Sequence, residues 1–258
     1  MHTIVIALIS VIFLSIPIDT MGKDISTTNN ESVVQYFSKT LPKNLLLGTK
    51  NSFTIWNLVI LGASTGTSVV LSQTEADREI QESLKGSLGD FANIGDIGGS
   101  ALALTGITIA TYATAKCIKD DKLLQTSEAL IEAEIITAVM TSAVKLSVGR
   151  QRPDESGSRF TSSFPSGHVS GSFTLASVFD SMYGHKVGIP LYTFASFIGL
   201  TRISDNKHYL SDVLFGAALG TVIGRSVANL HKNEDATRVT VMPFSDGTSA
   251  GLAIALRW

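Results

Sequence analysis

From Asn51 to Thr74 the chain carries no charged residue, and from Ile97 to Ala115 it again carries none. Each run suits one long helix, and by length the first reaches the roughly 20 residues that cross a bilayer. Runs of this kind have to be buried, against protein or against lipid. The whole chain shares the bias: its 258 residues are 44% hydrophobic and 16% charged, where ordinary soluble domains carry about 25% charge. Yet Asn57, Ser64, Thr65, Thr67 and Ser68 stud the first run, a texture that suits close helix packing better than contact with acyl chains. A net charge of -2 with no basic tract gives no reason to expect nucleic acid as a partner. The single cysteine, Cys117, excludes an internal disulfide and any multi-cysteine metal site. Placed after an apolar run, it reads as a buried, inert thiol.

Ahead of these runs, Ile4 to Ile18 is apolar and uncharged but short, like the core of a secretory signal. We assign residues 1–22 as a signal-like segment or anchor, and 23–52 as a polar linker with a short helix around Ser32 to Ser38. Glu75 to Lys85 reads as charged and solvated, a surface helix turn or loop. Gly86 to Gly99 reads as a loop, and it has no phosphate-loop pattern. Helical spacing then marks Glu128 to Val148, with Glu128, Glu132 and Glu134 solvated in its early turns, where they suit the helix dipole. Gly167 to Tyr183, Val187 to Ile203 and His208 to Leu230 follow as helices. In the last, Gly216, Gly220 and Gly224 share one face and let a neighbour approach closely. Residues 237–258 alternate about a turn at Ser245-Asp246-Gly247-Thr248, the pattern of a β-hairpin. The predicted fold is all-α: a bundle of about six helices in one domain, residues 53–231, with a C-terminal β-hairpin.

Polar groups collect in three blocks of that bundle: Lys145-x6-Arg152-Pro153, Pro165-Ser166-Gly167-His168 and Thr201-Arg202-x5-His208-x3-Asp212. Lys145 and Arg152 lie near a helix end marked by Gly149 and Pro153. A guanidinium fork and an ammonium point charge suit phosphate, and the same pair would also complement a helix dipole. Ser166 at a helix start leaves backbone N–H groups for an anion, and Gly167 lets it come close; an ordinary N-cap is the other role open to Ser166. His168, on the first turn, is placed to pass a proton to a leaving oxygen. His208 and Asp212, four apart, are expected on one helix face, where the carboxylate orients the imidazole for attack. Arg202 is expected to reach the same anion from the preceding loop.

In this order and spacing the blocks resemble the signature of the type 2 phosphatidic acid phosphatase (PAP2) superfamily, K-x6-R-P, P-S-G-H and S-R-x5-H-x3-D. That superfamily includes bacterial acid phosphatases, lipid phosphatases and vanadium haloperoxidases. The first two blocks match in full; the third has Thr201 in place of serine, which keeps the hydroxyl. The resemblance covers about Phe53 to Leu230. It implies a helical bundle with the site at one end. It implies that His208 attacks phosphorus and forms a phosphohistidine, that Asp212 orients it, and that His168 protonates the leaving oxygen and then activates water. Lys145, Arg152, Arg202 and the backbone around Ser166 and Gly167 would stabilise the equatorial oxygens. It implies no cofactor and no metal.

The expectation is a metal-independent phosphatase acting on phosphate monoesters, either a lipid phosphate or a small soluble ester. A vanadium-dependent haloperoxidase-like enzyme and a non-catalytic phosphate-binding protein are the alternatives, and a binder would need neither His168 nor His208. Mean hydropathy is +0.27, and only two runs reach spanning length. This favours an exported enzyme of the bacterial periplasm or cell envelope, soluble or peripherally attached. The alternative is an integral membrane protein with its site on the non-cytoplasmic side. The partner expected is a phosphate-ester substrate, with membrane contact and oligomeric state left open.

Overall fold

The computed structural model describes residues 33–232, 238–245 and 250–257. The signal-like segment and residues 246–248 of the expected turn lie outside the described residues. A helical turn, Val33–Gln35, and a π-helical stretch, Tyr36–Thr40, run into α1, Leu41–Asn51. There follow α2 (Ile55–Gln73), α3 (Ala76–Leu84), α4 (Ala92–Gly98), α5 (Ala101–Ile118) and α6 (Asp121–Val148). The helices end with α7 (Gly167–Tyr183), α8 (His185–Ser204) and α9 (Leu210–Lys232). Beyond them β1 (Arg238–Ser245) pairs antiparallel with β2 (Ala250–Arg257), Arg238 opposite Arg257 and Ser245 opposite Ala250.

Among the described residues nine α-helices have seven or more residues, not about six. The three additions are α1, α3 and α4, which fall in segments read as linker, as a surface helix turn or loop, or as loop. Helices this short draw their stability from tertiary packing more than from their own propensity, so their sequences announce them weakly. The longer helices carry clear end signals. Asp120 accepts from the Leu123 N–H at 2.8 Å to start α6, and Ser100 accepts from the Ala103 N–H at 3.2 Å to start α5. Gly149 takes a left-handed conformation, φ 64°, and closes α6 on the Lys145 carbonyl.

The segment read as a polar linker is, from Val33 onward, helical and packed. Tyr36 Oη and Asn44 Nδ2 donate to Glu132 Oε1 at 3.1 and 3.0 Å, and His231 Nε2 meets Oε2 at 2.8 Å. Glu132 is fully buried, which corrects the solvated reading of that glutamate. Its two oxygens are satisfied, as burial of a carboxylate requires. The network ties the N-terminal helices to α6 and α9.

α7 and α9 form the central pair, flanked by α6, with α8 against α7 and α5 against α6, while α1 and α2 lie on α9. Phe179, Leu130, Ile223 and Val227 are among the side chains buried between them. The glycines of α9 do face a neighbour. A Cβ at Gly220 would lie 2.2 Å from the Ser170 carbonyl oxygen, and one at Gly224 would lie 2.6 Å from that of Thr174. The backbones of α7 and α9 therefore touch.

Among the described residues three helices, α2, α5 and α9, are long and apolar enough to cross a membrane, one more than the sequence suggested. Only 6% of α2 is buried inside the protein, and Ile55, Trp56, Val59 and Val70 are each more than half exposed. An exposed apolar face of this size suits lipid better than water, and with three helices of spanning length it supports a membrane protein. Cys117, expected to be buried, is exposed in the last turn of α5.

Gly220→Ala should cost about 1–3 kcal/mol of stability, read as a lower unfolding midpoint in detergent, because backbone rather than a pliable side chain blocks the added methyl. Gly66→Ala in α2, where nothing lies within 4 Å of the new Cβ, should show no loss in the same thermal measurement.

Candidate active site

The first block sits where α6 stops. Past Gly149 the chain folds back along the helix end. Lys145 Nζ donates to the Ser162 carbonyl, and Ser162 Oγ donates to the Lys145 carbonyl at 3.1 Å. The Ser163 N–H donates to the Arg150 carbonyl at 2.7 Å. Arg152 Nε donates to the Thr161 carbonyl at 2.9 Å, leaving the rest of the guanidinium for other partners. Lys145 and Arg152 thus share one wall although the helix does not continue between them.

The third block is built differently from the sequence reading. Arg202 is not in a loop but in the last turn of α8, and it is 4% exposed. Its carbonyl accepts from the N–H groups of Lys207 and His208 at 3.1 and 3.2 Å. That closed turn is the physical reason for the fixed spacing between Arg202 and His208. His208 precedes α9, so the pair His208–Asp212 does not lie on one helix face. Asp212, in the first turn of α9, folds back instead. Its Oδ2 accepts from the Tyr209 N–H at 2.8 Å and from Ser163 Oγ. His208 Nδ1 lies 3.6 Å from that same Oδ2 and 3.4 Å from Ser163 Oγ. The carboxylate is therefore in ion-pair range of the imidazole but beyond good hydrogen-bond length, with the Ser163 hydroxyl within reach of both.

Asp212 is held from behind by a group the motif does not contain. Arg150 Nη1 donates to Asp212 Oδ1 at 2.7 Å and Nη2 donates to Asp77 Oδ2 at 2.8 Å. Nη1 also reaches Ser211 Oγ at 2.6 Å, and the guanidinium lies 4.2 Å from the centre of the Tyr209 ring. Asp77 belongs to α3, is 2% exposed, and accepts from the Ser211 N–H at 3.0 Å. In the stretch Glu75 to Lys85, read as solvated, Glu75, Arg78 and Glu82 are exposed, but Asp77 is buried and buttresses the site.

The second block starts α7. Ser166 makes no side-chain cap; its N–H donates to the Asp212 carbonyl at 3.1 Å, and its Oγ is buried without a partner. The first N–H groups of α7 have no acceptor within the helix. His168 is half-buried and, with Lys145, Arg152 and Gly167, lines a cavity of about 530 Å³. His208 and Arg202 are buried beside it rather than on its wall. His168 Nε2 lies 3.4 Å from Asp96 Oδ1, which also accepts from Arg202 Nη1 at 2.6 Å. Asp96 comes from α4, which reaches this far because Gly95 has no side chain: a Cβ there would sit 1.8 Å from Thr201 Oγ1.

The electrostatics follow from this packing. Burial holds the His208 imidazole below the ordinary histidine value, aided by Lys145 and Arg152 and opposed by Asp212. It is neutral at pH 7, with a nitrogen lone pair available. Lys145, Arg152 and Arg202 form a chain of cations in one another's field, an arrangement that an oxyanion would relieve. Among the described residues no group of three or more His, Cys, Asp and Glu is placed to hold a metal ion.

All eight residues singled out in the sequence come to this one end of the bundle. Sequence reasoning missed Arg150, Ser163, Ser211, Asp77 and Asp96. Arg150 and Ser163 are each two residues from a motif position, a proximity that offers a signal. Asp77 and Asp96 are far from any block and carry none.

Arg150→Met should cost about 3 kcal/mol of stability, because it leaves two buried carboxylates without their cation. Arg150→Lys should recover only part, since an ammonium cannot fork across both. Chemical or thermal unfolding of the purified protein measures both.

Residues 128–236 match the family profile described as the PAP2 superfamily. Over 88 residues the chain is 43% identical to the lipid A 1-phosphatase of Porphyromonas gingivalis, covering 33% of this chain and 19% of that one. Over 157 residues it is 27% identical to lipid phosphate phosphatase 1 of Arabidopsis thaliana, covering 45% of this chain and 47% of that one. The chain thus spans less than half the length of these curated relatives. Among solved structures, the crystal structure of a transmembrane PAP2-type phosphatidylglycerolphosphate phosphatase from Bacillus subtilis is similar, with a TM-score of 0.47 and 18% identity over 79% of this chain and 100% of that one. The three blocks all fall inside the segment, residues 128–236, that matches the PAP2 superfamily profile.

Proposed function

We propose that this protein is a membrane phosphatase that hydrolyses lipid phosphate monoesters through a phosphohistidine on His208. The observation that carries the reading is the gathering, at one end of the bundle, of three cations with two histidines of different setting. His208 is buried and neutral beside Asp212 and Ser163, and His168 stands on the cavity wall. Relatives named for lipid A and lipid phosphates, together with the apolar exterior of α2, support a lipid ester over a soluble one. The signal-like run at Ile4 to Ile18 supports a site on the non-cytoplasmic side.

The chemistry assigns a role to each group. The phosphate lies against the N-terminus of α7, with Lys145, Arg152 and Arg202 on its oxygens, and their charge is matched to the transition state. Asp212 and Ser163 face Nδ1 of His208, so Nε2 attacks phosphorus. Contacts of this kind are often long without substrate and tighten when it binds. His168, whose pKa burial and Arg202 hold down to about 4 in the free protein, takes up a proton when the phosphate's negative charge enters the site and gives it to the departing lipid oxygen as the P–N bond forms and the P–O bond breaks. It then takes a proton from water, whose oxygen attacks phosphorus, breaks the P–N bond and releases inorganic phosphate. Asp96 keeps His168 and Arg202 in one frame.

His208→Ala should reduce release of phosphate from phosphatidic acid in detergent micelles by at least ~10³-fold, with an unchanged unfolding midpoint. Wild-type turnover should persist in excess chelator and fall with added vanadate; strict dependence on a divalent metal would sink the mechanism. A panel of lipid phosphates and short soluble esters decides the substrate class.

The titration of His208 has a definite sign. Side-chain NMR of the free protein should place its pKa below 6.5. Asp212→Asn should lower it further, since Asp212 raises it, and Lys145→Met should bring it back up.

A further inference from the structure

Lys145, Thr141, Ala138 and Glu134 follow one another along a single face of α6 at helical spacing, and all four line the cavity of about 530 Å³. The phosphate-binding end is at Lys145. Eleven residues of helix separate it from Glu134, a rise of roughly 16 Å. Between them the walls are mainly small or apolar, with Leu104 of α5 opposite. Gly171 of α7 leaves the far end room: a Cβ there would lie 2.5 Å from Leu104 Cδ1 and 3.4 Å from Glu134 Oε2. Two polar atoms on residues that line this channel are unsatisfied. Glu134 Oε1 and Thr141 Oγ1 are both buried without a hydrogen-bond partner, and Thr141 is 6% exposed. Buried polar groups in a folded protein nearly always have a partner, and those that lack one call for an explanation. Glu134 was read from the sequence as solvated, yet it stands in a cavity that opens from the candidate catalytic site.

We infer that the cavity holds the lipid chain of the substrate, and that Glu134, with Thr141, accepts a hydrogen bond from a hydroxyl or amide N–H carried on that chain roughly 16 Å from the phosphate. The inference rests on the phosphatase reading above and deepens it. An unadorned hydrocarbon chain would fill the cavity but leave the carboxyl oxygen unpaired. A site built to hydrogen-bond a substrate group discriminates strongly against an analogue that lacks it. The selected substrate is therefore a phosphorylated lipid with a polar group partway along its acyl region, not a plain saturated one.

The probes are dodecyl phosphate and 12-hydroxydodecyl phosphate, whose chains of about a dozen methylenes match that helical rise. The quantity read is the ratio of their kcat/KM values within each protein, so that a general loss of activity cancels. Wild type should favour the hydroxylated ester by about tenfold or more. Glu134→Gln, which keeps an acceptor oxygen, should retain most of the preference, and Glu134→Leu should abolish or invert it. Equal turnover of the two esters by wild type, or a preference that survives Glu134→Leu, overturns the inference while leaving the phosphatase reading intact. If wild type releases no phosphate from either chain or from p-nitrophenyl phosphate, the phosphatase reading fails and this inference with it.

Discussion

The structure depends on one buried guanidinium. Arg150 joins Asp77 of α3 to Asp212 of α9 across 2.7 and 2.8 Å contacts, and Asp212 in turn sets His208, Ser163, Tyr209 and the start of α7. Two carboxylates at this depth would repel each other and lose their hydration without the shared cation. Ion pairs of this kind add little net stability relative to an apolar core, but breaking one is costly because it strands a buried charge. The arrangement therefore enforces a geometry. The orienting carboxylate cannot rotate away from the histidine without giving up Arg150 and the Tyr209 N–H together.

The same end of the bundle is made possible by missing side chains. Gly220 and Gly224 bring α9 into backbone contact with α7, and Gly95 lets α4 press against Thr201 of α8. The first approach puts the Ser166 N–H on the Asp212 carbonyl, joining the second motif block to the third. The second approach delivers Asp96 to His168 and Arg202. Close packing of small residues is also what stabilises helices in lipid, where apolar burial between helices gains nothing over the surrounding chains. One device thus serves the fold and the placement of the site.

Much of the site was legible because its chemistry is written in local spacing. The Gly149 stop, the short turn closed on the Arg202 carbonyl and the α7 start all lie within a few residues of the groups they position. Their errors were local too: Arg202 proved helical and His208 lay outside its expected helix. Glu132 and Glu134 were misread for a different reason. A glutamate at an early helix turn looks solvated whenever its partner is distant in sequence, and the partners of Glu132 are Tyr36, Asn44 and His231. The short helices α1, α3 and α4 were faint in the sequence because helices this short draw their stability from tertiary packing more than from their own residues.

The sequence by itself determined the family signature, the identities of the cations and histidines, the order in which they enter the site and the helical character of the long apolar runs. These follow from side-chain chemistry and from periodicity, which are local properties of a chain. The tertiary structure decided which groups stand behind them. Arg150 meets Asp212 and Asp77 across 62 and 73 residues of sequence, and Arg202 meets Asp96 across 106. It also decided that a cavity runs from Lys145 toward Glu134 along α6, and that α2 shows its apolar side to the outside. Contacts at such separations leave no periodic trace, because they depend on how whole helices pack rather than on how one helix turns.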